Sequence, residues 1–209
     1  MKINTFYIDG QVCKVEEKDL KDFLFESQAR HQGSDPRKVP LFSLYKSYEE
    51  SFYVPPWDSH SFIYRRIDYK NNAVKIIVTE LDYHDHWVVD DKSNTELAVN
   101  DDAERLFNRT VDDQDILFSY VSTSGKGVRI GFKVGEAIRN EAQYITNLYY
   151  YTKMFKDRHD KENLFLIDFC CCPQNGNMFN NLNHSRNYWF PPMNSFLSYN
   201  EEARSLITI

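Results

Sequence analysis

Along most of the chain, apolar and polar positions form short alternating or continuous apolar runs, with helical stripes in only a few places. Residues 2–8 and 11–15 flank Asp9-Gly10, the pattern of a hairpin with an Asp-Gly turn. Over residues 16–31, Leu20, Phe23, Leu24 and Ala29 recur at roughly helical spacing. A loop over 33–40 follows. The aromatic-rich stretch 42–53 fits neither period, and Pro55-Pro56 stops any helix beyond it. Residues 62–69, Asn71-Asn72 and residues 73–82 read as strand, turn and strand; the second strand is β-branched and suited to a buried central position. Helical spacing returns over 94–109, through Leu97, Val99, Ala103, Leu106 and Phe107, and over 136–155. Between those helices, the apolar run 116–121 and the alternating run 128–134 flank a small-residue turn, a second hairpin. Residues 163–169 form another apolar strand, 173–186 an Asn-rich loop, and 200–205 a short closing helix.

Strands and helices in this mixture predict an α+β domain with a mixed or antiparallel sheet flanked by helices. Its 209 residues are 42% hydrophobic and 15% aromatic, ample for a buried core in one domain. Within it we expect an N-terminal α/β portion (1–60), a core (61–190) and a C-terminal tail (191–209). The N-terminus lacks a signal-peptide core, and no apolar run approaches the roughly 18 residues of a membrane span. The expectation is a soluble, cytoplasmic protein without a membrane partner. Cys13 and the trio Cys170, Cys171 and Cys172 contain no C-x-x-C pair, which favours reduced, packed thiols over a zinc site. The net charge of -6 does not announce nucleic-acid binding. Basic residues nevertheless gather at Arg65-Arg66, at Lys126/Arg129/Lys133 and at Lys153/Lys156/Arg158, and binding follows the local field.

Chemistry enters at three places. Glu80 and Asp82 are two apart on a strand and so share a face; two carboxylates that close call for a cation or a proton. Asp168 ends a second apolar strand in the same manner. The turn Ser122-Thr-Ser-Gly-Lys-Gly127, with Arg129 after it, offers hydroxyls, glycines that let a ligand approach the backbone, and two cations, a kit for phosphate. Three carboxylates suit Mg²⁺ or Mn²⁺, which prefer oxygen ligands. His84 and His86 share a strand face, but no obvious third ligand accompanies them for zinc. The turn is no Walker loop, because it lacks the earlier Gly and the Ser or Thr after Lys126.

In order, Ile77-Val-Thr-Glu-Leu-Asp82, Ser124-Gly-Lys-Gly-Val-Arg129 and Leu164-Phe-Leu-Ile-Asp168 resemble the motifs of the archaeo-eukaryotic primase superfamily, the primase-polymerases of plasmids, phages and mobile elements. The resemblance spans about residues 73–190. It implies a primase-polymerase-like core with an RRM-like half, and an enzyme of DNA replication that moves a nucleoside monophosphate from a triphosphate to a 3′-hydroxyl on single-stranded DNA. It further implies Glu80, Asp82 and Asp168 as catalytic metal ligands, and Ser122, Ser124, Gly125, Lys126, Gly127 and Arg129 as nucleotide-binding residues. Arg65, Arg66 and the tyrosines at 149–151 are candidate template contacts, with a place in the core the equal alternative for the tyrosines, and a helicase or replication initiator is a candidate partner. Two positions depart from the family pattern: Glu80 stands where Asp is commoner, and Arg129 where the return strand usually has His. Arg grips phosphate but donates no proton near neutral pH, so the alternative is a catalytically inactive DNA- or nucleotide-binding module.

Overall fold

The structure is a computed structural model that describes residues 1–9, 12–31, 40–44, 48–54, 62–71, 73–83, 99–167 and 189–206. Two antiparallel strands, β1 (Lys2–Asp9) and β2 (Val12–Asp19), form the expected N-terminal hairpin, and β3 (Leu41–Ser43) pairs on the other side of β1. Helix α1 (Leu20–His31) follows β2 directly. The predicted helix start at 16 is corrected to Leu20. Residues 16–19 stay paired with the first residues of β1, and Asp19 Oδ1 accepts the Lys21 N–H at 3.0 Å, which caps the helix.

β4 (Tyr48–Val54) and β5 (Phe62–Ile67) make a separate two-stranded antiparallel sheet. The turn after β5 is present, with the Asn71 N–H donating to Asp68 O at 3.2 Å. The strand that follows it, β6 (Val74–Tyr83), enters a different sheet. In chain order that sheet is built from β6, α2 (Asp101–Thr110), β7 (Ile116–Val121), β8 (Gly127–Ile138), α3 (Glu141–His159) and β9 (Phe165–Ile167). Its strands lie in the order β7-β8-β6-β9, all neighbours antiparallel, which is a β-α-β-β-α-β unit with spatial order 2-3-1-4. β10 (Leu197–Tyr199) adds to β7, and β11 (Ser205–Leu206) pairs in parallel with the end of β8. The fold is therefore α+β, with mainly antiparallel sheets flanked by helices.

Three further boundaries differ from expectation. α2 starts at Asp101, not 94, because Asn100 Oδ1 accepts the Asp102 N–H at 2.7 Å; Leu97 lies outside the described residues. Its first turn holds Asp101, Asp102 and Glu104, so that acidic cluster complements the positive end of the helix dipole. α3 starts at Glu141, not 136. β8 runs on to Ile138 opposite Val74, Asn140 Oδ1 takes the Gln143 N–H, and Gln143 Oε1 takes the Arg139 N–H, each at 2.9 Å. No helix forms over 200–205. Asn200 Oδ1 accepts the Glu202 N–H at 3.0 Å in a turn that feeds β11.

Side-chain alternation gives the main sheet two faces. On one, Thr79 meets Thr152 of α3 (Oγ1–Oγ1 2.6 Å), Ser119 meets Thr110 of α2 (2.8 Å), and Phe132 packs on Tyr151 and Phe155. On the other, Phe118 meets Phe42 of β3, which meets Phe23 of α1. The N-terminal layer thus lies over the face that carries Glu80. Trp189 pairs with Phe42 through both backbone bonds (2.8 and 2.9 Å), which brings residues 189–194 under that layer. No helix among the described residues is long and apolar enough to cross a membrane.

Candidate functional site

β6 and β8 pair in a register that sets Asp82 opposite Gly127, Glu80 opposite Arg129 and Val78 opposite Gly131. These residues share the face turned away from α2 and α3. Asp82 is half-buried, whereas Glu80 is 3% and Arg129 5% exposed. Gly127 is required by this arrangement, since a Cβ there would collide with Asp82 Oδ1 and come within 2.8 Å of Leu81 O. The Asp82 carboxylate rests on the first residue of β8.

Glu80 and Arg129 are each other's partners. Arg129 Nε lies 3.1 Å from Glu80 Oε2, an ion pair in which the N–H is not aligned on the oxygen. Arg129 Nη1 also donates to Phe190 O at 3.2 Å, and the guanidinium lies 5.5 Å from the Trp189 ring and 5.9 Å from the Tyr120 ring. Tyr120 Oη donates to the same Phe190 carbonyl at 2.6 Å. Burial alone would push the Arg129 guanidinium toward losing its proton. The Glu80 carboxylate, with Tyr120 beside it, more than offsets that and holds it above the ordinary arginine value. Removing either partner alone would leave a buried charge unmatched, at a cost on the order of 3–5 kcal/mol.

The 122–127 turn is held largely by its own small side chains. The Ser122 N–H donates to Gly127 O (2.7 Å), Gly125 N–H to Ser122 O (2.9 Å) and Gly127 N–H to Ser122 Oγ (3.1 Å). Ser124 Oγ lies 3.1 Å from Ser122 Oγ, and Gly125 adopts φ 74°, where glycine is favoured. The turn is tied to its surroundings by Tyr83 N–H to Lys126 O (3.0 Å) and Asn100 N–H to Gly125 O (2.9 Å). Thr123 is buried, and its Oγ1 has no hydrogen-bond partner among the described residues. Lys126 is half-buried beside Gly127.

β9 runs along the free side of β6, with Phe165 opposite Tyr83, Leu166 opposite Asp82 and Ile167 opposite Leu81. Asp168 is the next residue in the chain and lies outside the described residues, as do His84, His86 and Cys170, Cys171 and Cys172. Arg65 and Arg66 lie on β5, in the separate two-stranded sheet; their side chains are not described. Of the tyrosines at 149–151, Tyr151 is core, packed on Phe132, while Tyr149 and Tyr150 are exposed on α3, across the sheet from Asp82. The helical basic cluster is matched by acids: Lys153 with Asp157 (2.8 Å), Lys156 with Asp160 (2.5 Å), and Arg158 with Asp113 (2.7 Å) and Asp115 (3.0 Å).

For a divalent cation the donor set divides. The Asp82 carboxylate, half-buried beside the turn, fits an oxygen ligand; Glu80 does not, because Arg129 already matches its charge. No three His, Cys, Asp or Glu side chains among the described residues converge as a metal-binding group. Sequence reasoning missed the parts played by Tyr120, Trp189 and the Phe190 carbonyl. It also missed the pairing of Glu80 with Arg129, whose signal was the matched spacing of Glu-x-Asp and Gly-x-Arg on two strands. The models of known protein families, curated proteins and solved structures give no match to this chain.

Proposed function

We propose that this chain is a nucleotidyltransferase of the primase-polymerase kind, which joins a nucleoside monophosphate from a triphosphate to a 3′-hydroxyl on a single-stranded DNA template. The observation that carries the reading is the meeting of three sequence-distant motifs on adjacent strands. Asp82 faces Gly127 at the base of the Ser/Gly/Lys turn, and β9, which leads into Asp168, pairs with the same end of β6. The 2-3-1-4 order of the sheet is also that of an RRM-like half. Mg²⁺ or Mn²⁺, bound by Asp82 with Asp168 as the expected second carboxylate, would lower the pKa of the attacking hydroxyl and screen the triphosphate. Lys126 supplies charge for the triphosphate. Ser122 and Ser124 shape the turn, so their contribution is to position its backbone. In this reading the protein works in the cytoplasm beside a helicase or replication initiator.

The Glu80–Arg129 pair favours a second reading, a module that binds nucleotide or DNA without turnover, since one expected metal ligand and one expected phosphate ligand neutralise each other. Incubation with single-stranded DNA, Mn²⁺ and labelled nucleotides separates the two. Product that disappears in Asp82→Ala supports synthesis. Triphosphate binding without product under any nucleotide mixture supports the module, and neither result sinks both.

A further inference from the structure

We propose that Leu166 is the floor of a nucleoside subsite: a nucleoside triphosphate whose phosphates meet the 122–127 turn lays its sugar and base past Asp82 onto Leu166. This rests on the nucleotidyl-transfer reading of the face and specifies which way the substrate lies. Leu166 pairs with Asp82 across β9 and β6, and Asp82 pairs with Gly127 across β6 and β8, so one row runs over three strands from Leu166 to the turn. Residues paired in this way share a face, which puts Leu166 on the face that carries Asp82, away from α2 and α3. Two strand spacings, about 10 Å, separate Leu166 from Gly127, a span that one phosphate group cannot bridge and a whole nucleotide can.

The two ends of the row set the direction. At the turn, Ser124 is exposed and Lys126 half-buried, a hydroxyl and an ammonium for charged oxygens. At the other end Leu166 is 44% exposed and offers only carbon, which suits the uncharged part of the substrate. The sequence of β9 singles that leucine out. Phe165 is buried against Tyr83 on the helix side, with ring centroids 5.8 Å apart, and a strand covered on one face ordinarily turns polar residues to the other. β9 carries Leu166 there instead, in an apolar run of the kind that is covered on both faces. The other ways out from the turn are occupied. Toward β7, the Val121 N–H donates to Phe196 O at 3.2 Å, and Val121 O accepts from Asn194 Nδ2 at 3.4 Å. Toward Glu80, the buried Arg129 lies against the Trp189 ring and Phe190 O. A leucine side chain has neither donor nor acceptor, so the subsite holds every base alike.

The test is calorimetric titration of the whole protein with dATP, dCTP and inorganic tripolyphosphate, each with Mg²⁺, and with folding checked by circular dichroism. Leu166→Ala should weaken both nucleotides about tenfold and leave tripolyphosphate within about twofold of the wild type. Lys126→Ala should weaken all three. Leu166→Met, which keeps the apolar surface, should hold both nucleotides within about threefold of the wild type. If the alanine variant does not fold, Leu166→Gln takes its place and should show the same selective loss. The proposal is overturned by a folded Leu166→Ala protein that binds dATP and dCTP as the wild type does. Equal loss of tripolyphosphate and nucleotides overturns it too, because Leu166 would then only support β9, as does a loss confined to one base. A wild-type protein that binds none of the three at millimolar concentration overturns both the subsite and nucleotidyl transfer. Binding in the expected pattern without primer extension would sink nucleotidyl transfer and leave the subsite standing. Primer extension that Leu166→Ala performs with an unchanged KM for nucleotide would do the reverse.

Discussion

Two glycines on β8 lack side chains for different reasons, and substitution tells them apart. Gly127 leaves room for the Asp82 carboxylate, and Gly131 leaves room for the Phe118 ring. Gly127→Ala should displace Asp82 and lower synthesis by about tenfold or more, because misplacing one reacting group costs rate steeply. Gly131→Ala crowds the core, at about 1–3 kcal/mol, and should leave synthesis per folded molecule unchanged. Urea unfolding and primer extension on both variants check the contrast. Equal losses of synthesis per folded molecule would show that Gly127 matters only for packing.

At the scale of elements, the end of α3 is fastened to the loop between α2 and β7 by a charged knot. Asp113 Oδ2 lies 2.6 Å from His159 Nε2 and 2.7 Å from Arg158 Nη1, and Asp113 Oδ1 takes the Asp115 N–H at 2.9 Å. Burial would raise the Asp113 carboxyl, but these partners outweigh it and bring it from 3.8 down to about 2. A carboxyl held below its unfolded value contributes stability above that value and loses it as pH falls through the folded one. Asp113→Asn should therefore cost about 1–2 kcal/mol at pH 6 and progressively less on acidification toward the folded pKa. Urea titrations of wild type and variant across that range test it; a gap that stays constant with pH would mean that the ionisation of Asp113 is not what fastens α3. The same elements show what was legible in sequence. β6, β7 and the start of β8 were readable because their own β-branched and apolar runs decide them. The ends of β2 and β8 were not, because Glu16 is held as strand by Thr5 across the hairpin and Ile138 by Val74, far back along the chain, rather than by their own sequence. Asn200 looked like the start of a helix, but its side chain closes a turn instead. Within the site, the shared face of Glu80 and Asp82 was legible from period two alone. The engagement of Glu80 by Arg129 was not, since it depends on register and on Trp189, 60 residues beyond Arg129.

For the molecule as a whole, the balance of charge limits how it can hold a template. The net charge is -6, and among the clustered basic groups whose side chains are described, most are already engaged. Lys153, Lys156 and Arg158 pair with acids, Arg129 pairs with Glu80, and Lys133 Nζ donates to Ala203 O at 3.3 Å. Of the clustered basic residues with described side chains, that leaves Lys126, at the turn, as the one best placed to meet phosphate. Single-stranded DNA gives a salt slope of about -0.7 per phosphate neutralised, so a template held at one or two phosphates should show a slope no steeper than about -1.5. Fluorescence anisotropy of a labelled oligonucleotide between about 50 and 200 mM salt measures it. A shallow slope means that template is held mainly by stacking and by the metal-bound nucleotide, and synthesis should then tolerate salt. A slope steeper than about -3 would mean that a basic surface beyond these clusters grips the strand. Arg65 and Arg66 on β5 are then the first residues to change, and Arg65→Ser/Arg66→Ser should flatten the slope while leaving Mn²⁺ binding at Asp82 untouched. A slope that stays steep in that variant would move the template path away from β5.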